Sequence, residues 1–203
     1  WSVEGAKTPP LVTAAPAGTS PSLAGRLGVP STQILYGNQD VNDDYRSGFR
    51  VGGGLWLDRC DGLALVGDYF QLSDDNDGFS AGPNDGRIIA RPFFNSELGV
   101  NDVEFVDVPN ELSGRVHVNA SSEFQGAGIG LMKTAWMCCD PCNCRSANFA
   151  LIGGYRYYRH GSSLSVTEDL PVLPGTTTPL VPGTTFDLEG RFATRNEFHG
   201  GES

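Results

Sequence analysis

No run of about eighteen apolar residues occurs anywhere in the 203-residue chain, which excludes a membrane-spanning helix. A basic excess is missing too. The chain has 24 Asp and Glu against 14 Lys and Arg, a net charge of −10. A nucleic-acid binder would show a basic stripe, so no nucleic-acid partner is expected, and electrostatic docking on an anionic membrane surface is disfavoured. No G-x-S-x-G, H-E-x-x-H or phosphate-loop motif is present, and His117, His160 and His199 stand apart in the sequence. No enzyme activity, catalytic residue or cofactor is therefore expected. A signal-peptide pattern is also missing. The chain opens at Trp1-Ser2-Val3-Glu4-Gly5 and ends at Gly200-Gly201-Glu202-Ser203, and it reads as a mature piece or fragment of a longer precursor.

Glycine and proline are abundant, at 27 and 13 residues. They suit strands, turns and long loops better than helices. Segments 6–44, 75–112 and 170–184 are rich in Pro, Gly, Ser, Thr and Asp and read as long loops. A short strand is expected in the first, at Thr32 to Gly37. In the second, "RIIARPFFN" (Arg87 to Asn95) reads as a short extended piece that Pro92 keeps out of a central strand. Strand patterns cover Arg46 to Asp58, Leu63 to Asp75, Ser113 to Met137, Ala147 to Asp169, and Thr185 to the end. Two of them far exceed an ordinary strand. Tight turns fall at 58–62 and 138–146. Long loops at one end and tight turns at the other fit an outer-membrane up-and-down barrel, and a soluble β-sandwich can show the same alternation.

The charges inside the strands sort the faces. An arginine facing lipid at mid-depth costs about 2–4 kcal/mol, so Arg156 is expected to face a lumen. Asp68 on another strand is its expected partner. Phe149, Leu151, Tyr155 and Tyr157 then face outward. Arg50 puts Gly48, Gly52, Gly54 and Trp56 inside and Phe49, Val51, Leu55 and Leu57 outside. Asp68 puts Leu63, Leu65 and Tyr69 outside. Ala127, Ile129 and Leu131 face out over inward Gly126, Gly128 and Gly130, with Lys133 near the outer end, where it can snorkel. Tyr69, Tyr155 and Tyr157 form the expected interfacial aromatic girdle. The face of the last strand stays ambiguous. The plain alternative is a soluble sheet with these charges on its solvated face.

"TPPLVT", "NDDYRSGFRVGGGLWLD", "IIARPFFN", "LIGGYRYYRHGSSLSVTED" and "RFATRNEFHGGE" occur in this order along the chain. In sequence and order they resemble a beta-barrel porin family of planctomycete outer-membrane proteins. The resemblance implies an all-β, antiparallel up-and-down barrel in the outer membrane, with lipid as its partner. Family members continue for several strands past the "GGE" position. Residues 1–203 are thus expected to be one β-barrel domain, incomplete, with about five of the eight or more strands that a single-chain barrel needs. Passive transport or a structural role in the cell envelope is the expected function. A surface or filament protein self-associating through strand edges, at the cell surface or outside the cell, is the alternative, and a secreted soluble binding module is a third class.

Cys60, Cys138, Cys139, Cys142 and Cys144 fall in or beside the tight turns, at one end of such a barrel. In an oxidising envelope a disulfide between Cys60 and the cluster is the default reading. The gap between Cys139 and Cys142 also suits a four-cysteine metal site or a redox pair. An outer-membrane setting disfavours the first, and the turn lacks the helix N-terminus that the second needs. No metal site is expected there. "DVNDD" (Asp40 to Asp44) and "SDDNDG" (Ser73 to Gly78) resemble calcium-loop pieces without the glutamate at position twelve, so they read first as solvated turns and only weakly as calcium sites.

Overall fold

A computed structural model describes residues 5–58, 62–83, 86–140, 145–174, 181 and 183–202, with backbone alone for Ala6, 137–140 and 145–148. The described chain forms only strands, turns and loops. In chain order these are β1 (Ala6–Lys7), β2 (Val12–Pro16), β3 (Gln33–Tyr36), β4 (Asp40–Val41), β5 (Gly48–Asp58), β6 (Leu63–Leu72), β7 (Asp75–Ala81), β8 (Arg87–Asn95), β9 (Val100–Val108), β10 (Leu112–Ser113), β11 (Arg115–Asp140), β12 (Arg145–Pro171) and β13 (Thr185–Glu202). All pairings are antiparallel.

The main sheet has the order β13-β12-β11-β6-β5, with β7 also on β11. β11 and β12 run for 26 and 27 residues as one long hairpin. Their length is sustained because β11 is paired on both sides. β12 accompanies it throughout, and β6 and β7 share the other side, separated only by Ser73 and Asp74. No proline interrupts either strand before Pro171, so every ladder position keeps its N–H donor. The sheet is open: β5 and β13 are its edges, and the barrel is not closed.

The register puts odd-numbered residues of β5, β6, β11, β12 and β13 on one face and even-numbered residues on the other. From the tight turns up to Val51, Tyr69, Ala127 and Tyr157 the odd face is apolar, with Lys133 near its lower end. Val51, Leu55, Leu65, Ile129, Leu131, Phe149, Leu151 and Tyr155 lie there between 38% and 68% exposed, and Phe49 extends the band one step above the row on the edge strand. Beyond that row the odd face turns polar: Glu123, Ser121, Asn119, His117 and Arg115 on β11, and Arg159, Ser163, Ser165, Thr167 and Asp169 on β12. The even face changes in the opposite sense, a few residues farther up. From Ala120 upward on β11 and along β12 it carries buried Val116, Val118, Ala120, Val166 and Leu170. Phe70, Phe124 and Tyr158 lie just above the tyrosine row, and below it come Gly128, the Asp68 and Arg156 row and, toward the tight turns, apolar Trp56, Met132 and Ile152.

A second sheet, β10-β9-β8-β2-β3, covers those buried even-face residues. Val12, Tyr36, Ile89 and Val106 meet Val116, Val118 and Val166 in one core, and Tyr36 stacks on Phe79 at 5.1 Å. Each fully buried valine or isoleucine contributes about 1.5–3 kcal/mol. Two segments expected as loops therefore hold strands. Their pieces are short and broken by Pro and Gly, and they gain stability only by packing on the long hairpin. Pro92 also sits in a central strand, contrary to expectation. β2 pairs β8 only from Arg87 to Ala90, so at Pro92 the ladder runs on the β9 side, opposite Val103, and the missing N–H costs β2 nothing.

Charged contacts pin the two sheets. Arg91 of β8 donates to Glu168 of β12 at 2.9 Å, and Glu168 is fully buried. Arg46, also buried, donates to the Ser122 carbonyl at 3.1 Å and the Asn42 carbonyl at 2.9 Å and pairs with Asp75 at 3.3 Å. Glu104 lies opposite Arg91 in the register. Burial, then the Glu168 charge, hold the Glu104 carboxyl above its ordinary range, and Arg91 offsets part of this. A raised folded pKa means stability that is present below the unfolded carboxylate value, about 4.3, and lost as pH rises through the folded value. Glu104→Gln is therefore expected to raise the thermal midpoint at pH 7 and to flatten the decline between acid and neutral pH. Unfolding scans of both proteins across that window check it; a lower midpoint for the variant at pH 7 contradicts it.

Candidate functional site

The candidate site lies on the even face at the level of the tyrosine row. One register row reads Gly52, Asp68, Gly128, Arg156 and Gly200 across β5, β6, β11, β12 and β13. Asp68 and Arg156 stand two strands apart, roughly 10 Å at strand spacing. They meet because β11 has no side chain between them. The Arg156 guanidinium donates to Asp68 Oδ1 at 2.8 Å, directly over Gly128. A Cβ on Gly128 would lie 3.2 Å from Arg156 Nε, Arg156 Nη2 and Asp68 Oδ1.

The pair extends sideways. Arg50, one row up on β5, reaches Asp68 Oδ2 at 3.1 Å. Glu202, one row down on β13, accepts from Arg156 Nε at 2.6 Å. Arg50, Asp68, Arg156 and Glu202 thus form a continuous line of alternating charge over four strands. Burial grades the links: the side chains of Asp68 and Arg156 are 16% and 21% exposed, those of Glu202 and Arg50 44% and 55%. Arg156 also donates to the Tyr158 hydroxyl at 3.3 Å. Above this line Phe70, Phe124 and Tyr158 cluster with centroids 5.4–6.1 Å apart. Gly126 admits them, since a Cβ there would lie 2.5 Å from Phe70 and 2.7 Å from Tyr158. A recess of about 500 Å³ opens beside Arg156 over Gly200 and Gly201, edged by Phe198 and Glu202.

Tyr69, Tyr155 and Tyr157 lie together on the odd face. The single Tyr69 hydroxyl hydrogen is shared between Gln71 Oε1 and Gln125 Oε1, each at 3.1 Å, and Phe49 packs against its ring at 5.9 Å. The Tyr155 hydroxyl and His199 Nδ1 share a 2.5 Å hydrogen bond, and Tyr157 packs on the same imidazole at 5.1 Å. Each ring keeps its hydroxyl toward the polar stretch above.

A family model described as Putative beta barrel porin-7 (BBP7) matches residues 1–203. The chain belongs to this family of β-barrel porins. No curated protein and no solved structure matches it.

In this porin-family chain the remaining expected site residues are placed as follows. Cys60, Cys142 and Cys144 lie outside the described residues, as do the side chains of Cys138 and Cys139. Asp58 pairs with Leu63, Leu63 with Lys133, and the Thr134 N–H donates to the Gly62 carbonyl, so Gly62 sits beside the β11 stem leading to Cys138. In the acidic segments, Asp75 pairs with Arg46, and burial together with Asp77 pushes the Tyr36 hydroxyl up to about 12. Among the described residues no three His, Cys, Asp or Glu groups converge as a metal site.

Sequence reasoning missed Glu202, the shared use of Asp68 by two arginines, and the rings over Gly126. The Gly126, Gly128, Gly130 alternation was the available signal, but only the register shows which side chains cross it. Coupling energies should follow burial. Exposed pairs are worth about 0–1 kcal/mol, and charge-assisted contacts out of solvent about 1.5–3. Double-mutant cycles on unfolding should therefore give a larger coupling for Asp68 with Arg156 than for Asp68 with Arg50. Equal couplings would show that Gly128 confers no advantage on the pair that crosses it.

Proposed function

We propose that this chain forms part of the wall of an outer-membrane β-barrel, with its odd face in lipid below the tyrosine row and its even face lining a water-filled interior. The carrying observation is that the odd face turns from apolar to polar at the tyrosine row, while the even face turns in the opposite sense a few residues above it. A soluble sheet has no reason to leave eight large apolar side chains exposed up to one row and, Phe49 apart, polar or small ones beyond it. The apolar stretch from Phe149 to Tyr157 suits a bilayer. Nine residues at about 3.3 Å each, tilted by about 40°, give a band of roughly 23 Å, close to the ~25 Å of outer-membrane barrels. Tyr69, Tyr155 and Tyr157 then serve as the upper girdle, with ring in lipid and hydroxyl in the headgroup layer.

The line of Arg50, Asp68, Arg156 and Glu202 lines the interior. It offers balanced charge and hydrogen-bonding groups to polar solutes, with no catalytic role. Transport is passive. The second sheet packs on the even face above the row, capping this part of the wall. The open edges at β5 and β13 favour a second reading, a surface or filament protein assembling through strand edges. Detergent separates the two, since a barrel wall needs it to remain dispersed and an edge-assembled filament pellets without it.

Reconstitution into planar bilayers tests the proposal. Arg156→Leu removes one positive charge and frees Glu202, so the reversal potential in a salt gradient is expected to move toward cation selectivity with insertion intact. Tyr155→Lys is expected to lower insertion severalfold, as a lysine in the lipid-facing band costs up to about 2–4 kcal/mol. Unchanged selectivity in the first variant together with normal insertion of the second would refute the assignment of the faces.

A further inference from the structure

Directly above the tyrosine row, the odd face holds a recess of about 400 Å³. Its floor is made of small side chains on three neighbouring strands: Ser121, Gly161, Ser163 and Ala193. The register sets them side by side, Ser121 opposite Ser163 and Ser163 opposite Ala193. Arg159, Arg191 and Arg195 stand around this floor. A chain with net charge −10 thus gathers three of its 14 basic residues at one spot.

These arginines can accept a new partner. Arg159 pairs with Glu123 at 2.9 Å and Arg195 with Glu197 at 2.5 Å, both at exposed positions where ion pairs are weak and readily exchanged. Arg191 has no carboxylate partner among the described residues. Ser121 and Ser163 share one hydrogen bond at 2.8 Å, which leaves a hydroxyl hydrogen for a ligand. Asp74 and Glu123 also border the recess, so a ligand's anionic part is directed to the arginine side. Guanidinium groups bind phosphate oxygens in pairs, and small hydroxyl-bearing floors suit sugar hydroxyls.

Height above the tyrosine row narrows the ligand. Arg159 lies two residues past Tyr157, Arg195 faces Gly161 four residues past it, and Arg191 faces Ser165 eight residues past it. At about 3.3 Å per residue and a tilt of about 40°, these are roughly 5, 10 and 20 Å above the girdle. A phospholipid headgroup layer is only about 5–8 Å deep. The arginines therefore span more than a single phosphate headgroup fills.

We propose that this recess binds the headgroup of a phosphorylated glycolipid in the leaflet on the side of the second sheet. The proposal rests on the outer-membrane reading above, and its test keeps the two apart. The full chain is first inserted into vesicles and washed with alkaline carbonate; failure to insert would count against the membrane reading and with it this site. Inserted protein is then challenged with diphosphoryl lipid A, phosphatidylglycerol, phosphatidylcholine and inorganic phosphate, and retained lipid is measured by native mass spectrometry. Lipid A is expected to be retained at least about tenfold over phosphatidylcholine, the scale of one charge-assisted contact. Arg191→Gln, which breaks no ion pair seen in the structure, should cut that preference severalfold, and Arg159→Gln/Arg191→Gln/Arg195→Gln should abolish it while insertion persists. Equal retention by the triple variant overturns the site. Phosphatidylglycerol held as tightly as lipid A overturns the extended headgroup, and displacement by millimolar inorganic phosphate assigns the recess to a free ion and overturns the lipid.

Discussion

Side chains along a strand alternate between two faces, and β11 and β12 must satisfy two different surroundings on each face as they run through 26 and 27 residues. Between Gln125 and Ala127 on β11, and between Tyr157 and Arg159 on β12, the odd face passes from polar to apolar. From a few residues above that level downward, the even face passes from a valine core through the Phe124, Phe70 and Tyr158 rings to glycines and ion pairs. Neither change is useful alone. An exposed apolar odd face needs a cover, which the proposed function assigns to lipid, and a buried even face needs the second sheet. Together they let one hairpin serve as a barrel wall below and as the floor of a packed sandwich above.

The lower half has little core of its own. Its even face is held by contacts that cross β11, and those depend on Gly126, Gly128 and Gly130. Any side chain at Gly128 would intrude on the Asp68–Arg156 pair, and one at Gly126 would collide with Phe70 and Tyr158. Glycine weakens a strand by its backbone entropy. Here that cost is offset by interactions between strands that are not neighbours. The upper half works in the ordinary way, with aliphatic burial between two sheets and a buried Arg91–Glu168 contact that fixes their relative placement. A buried pair of this kind is weak evidence for stability and better understood as setting register.

Much of the main sheet was legible in the sequence. The long proline-free stretches, the mid-strand charges and the alternating glycines marked five strands and sorted their faces. The pairing of Arg156 with Asp68 followed from the cost of a lone charge. Of the second sheet only β3 and β8 were legible, as a short strand at Thr32 to Gly37 and an extended piece at Arg87 to Asn95; β2, β9 and β10 were not, because short strands bordered by Pro and Gly carry no periodicity of their own and form only against the long hairpin. β13 remained ambiguous for a related reason. Arg195 and Glu197 lie above the tyrosine row, on a stretch of odd face that is polar, and of the described residues only Gly200, Gly201 and Glu202 lie below it. Its pattern carries almost no trace of the apolar band.

Photocrosslinking with a lipid that bears a diazirine near the end of its acyl chain tests the polarity reversal most directly. After insertion and irradiation, labelled peptides are mapped by mass spectrometry. Labels are expected at Val51, Leu55, Leu65, Ile129, Leu131 and Leu151, and not at Asn119, Ser163 or Ser165 on the same face above the row, nor at Phe70 or Tyr158 on the even face. Labels spread evenly above and below Tyr157, or found on Phe70 and Tyr158 in place of Ile129 and Leu131, would contradict it.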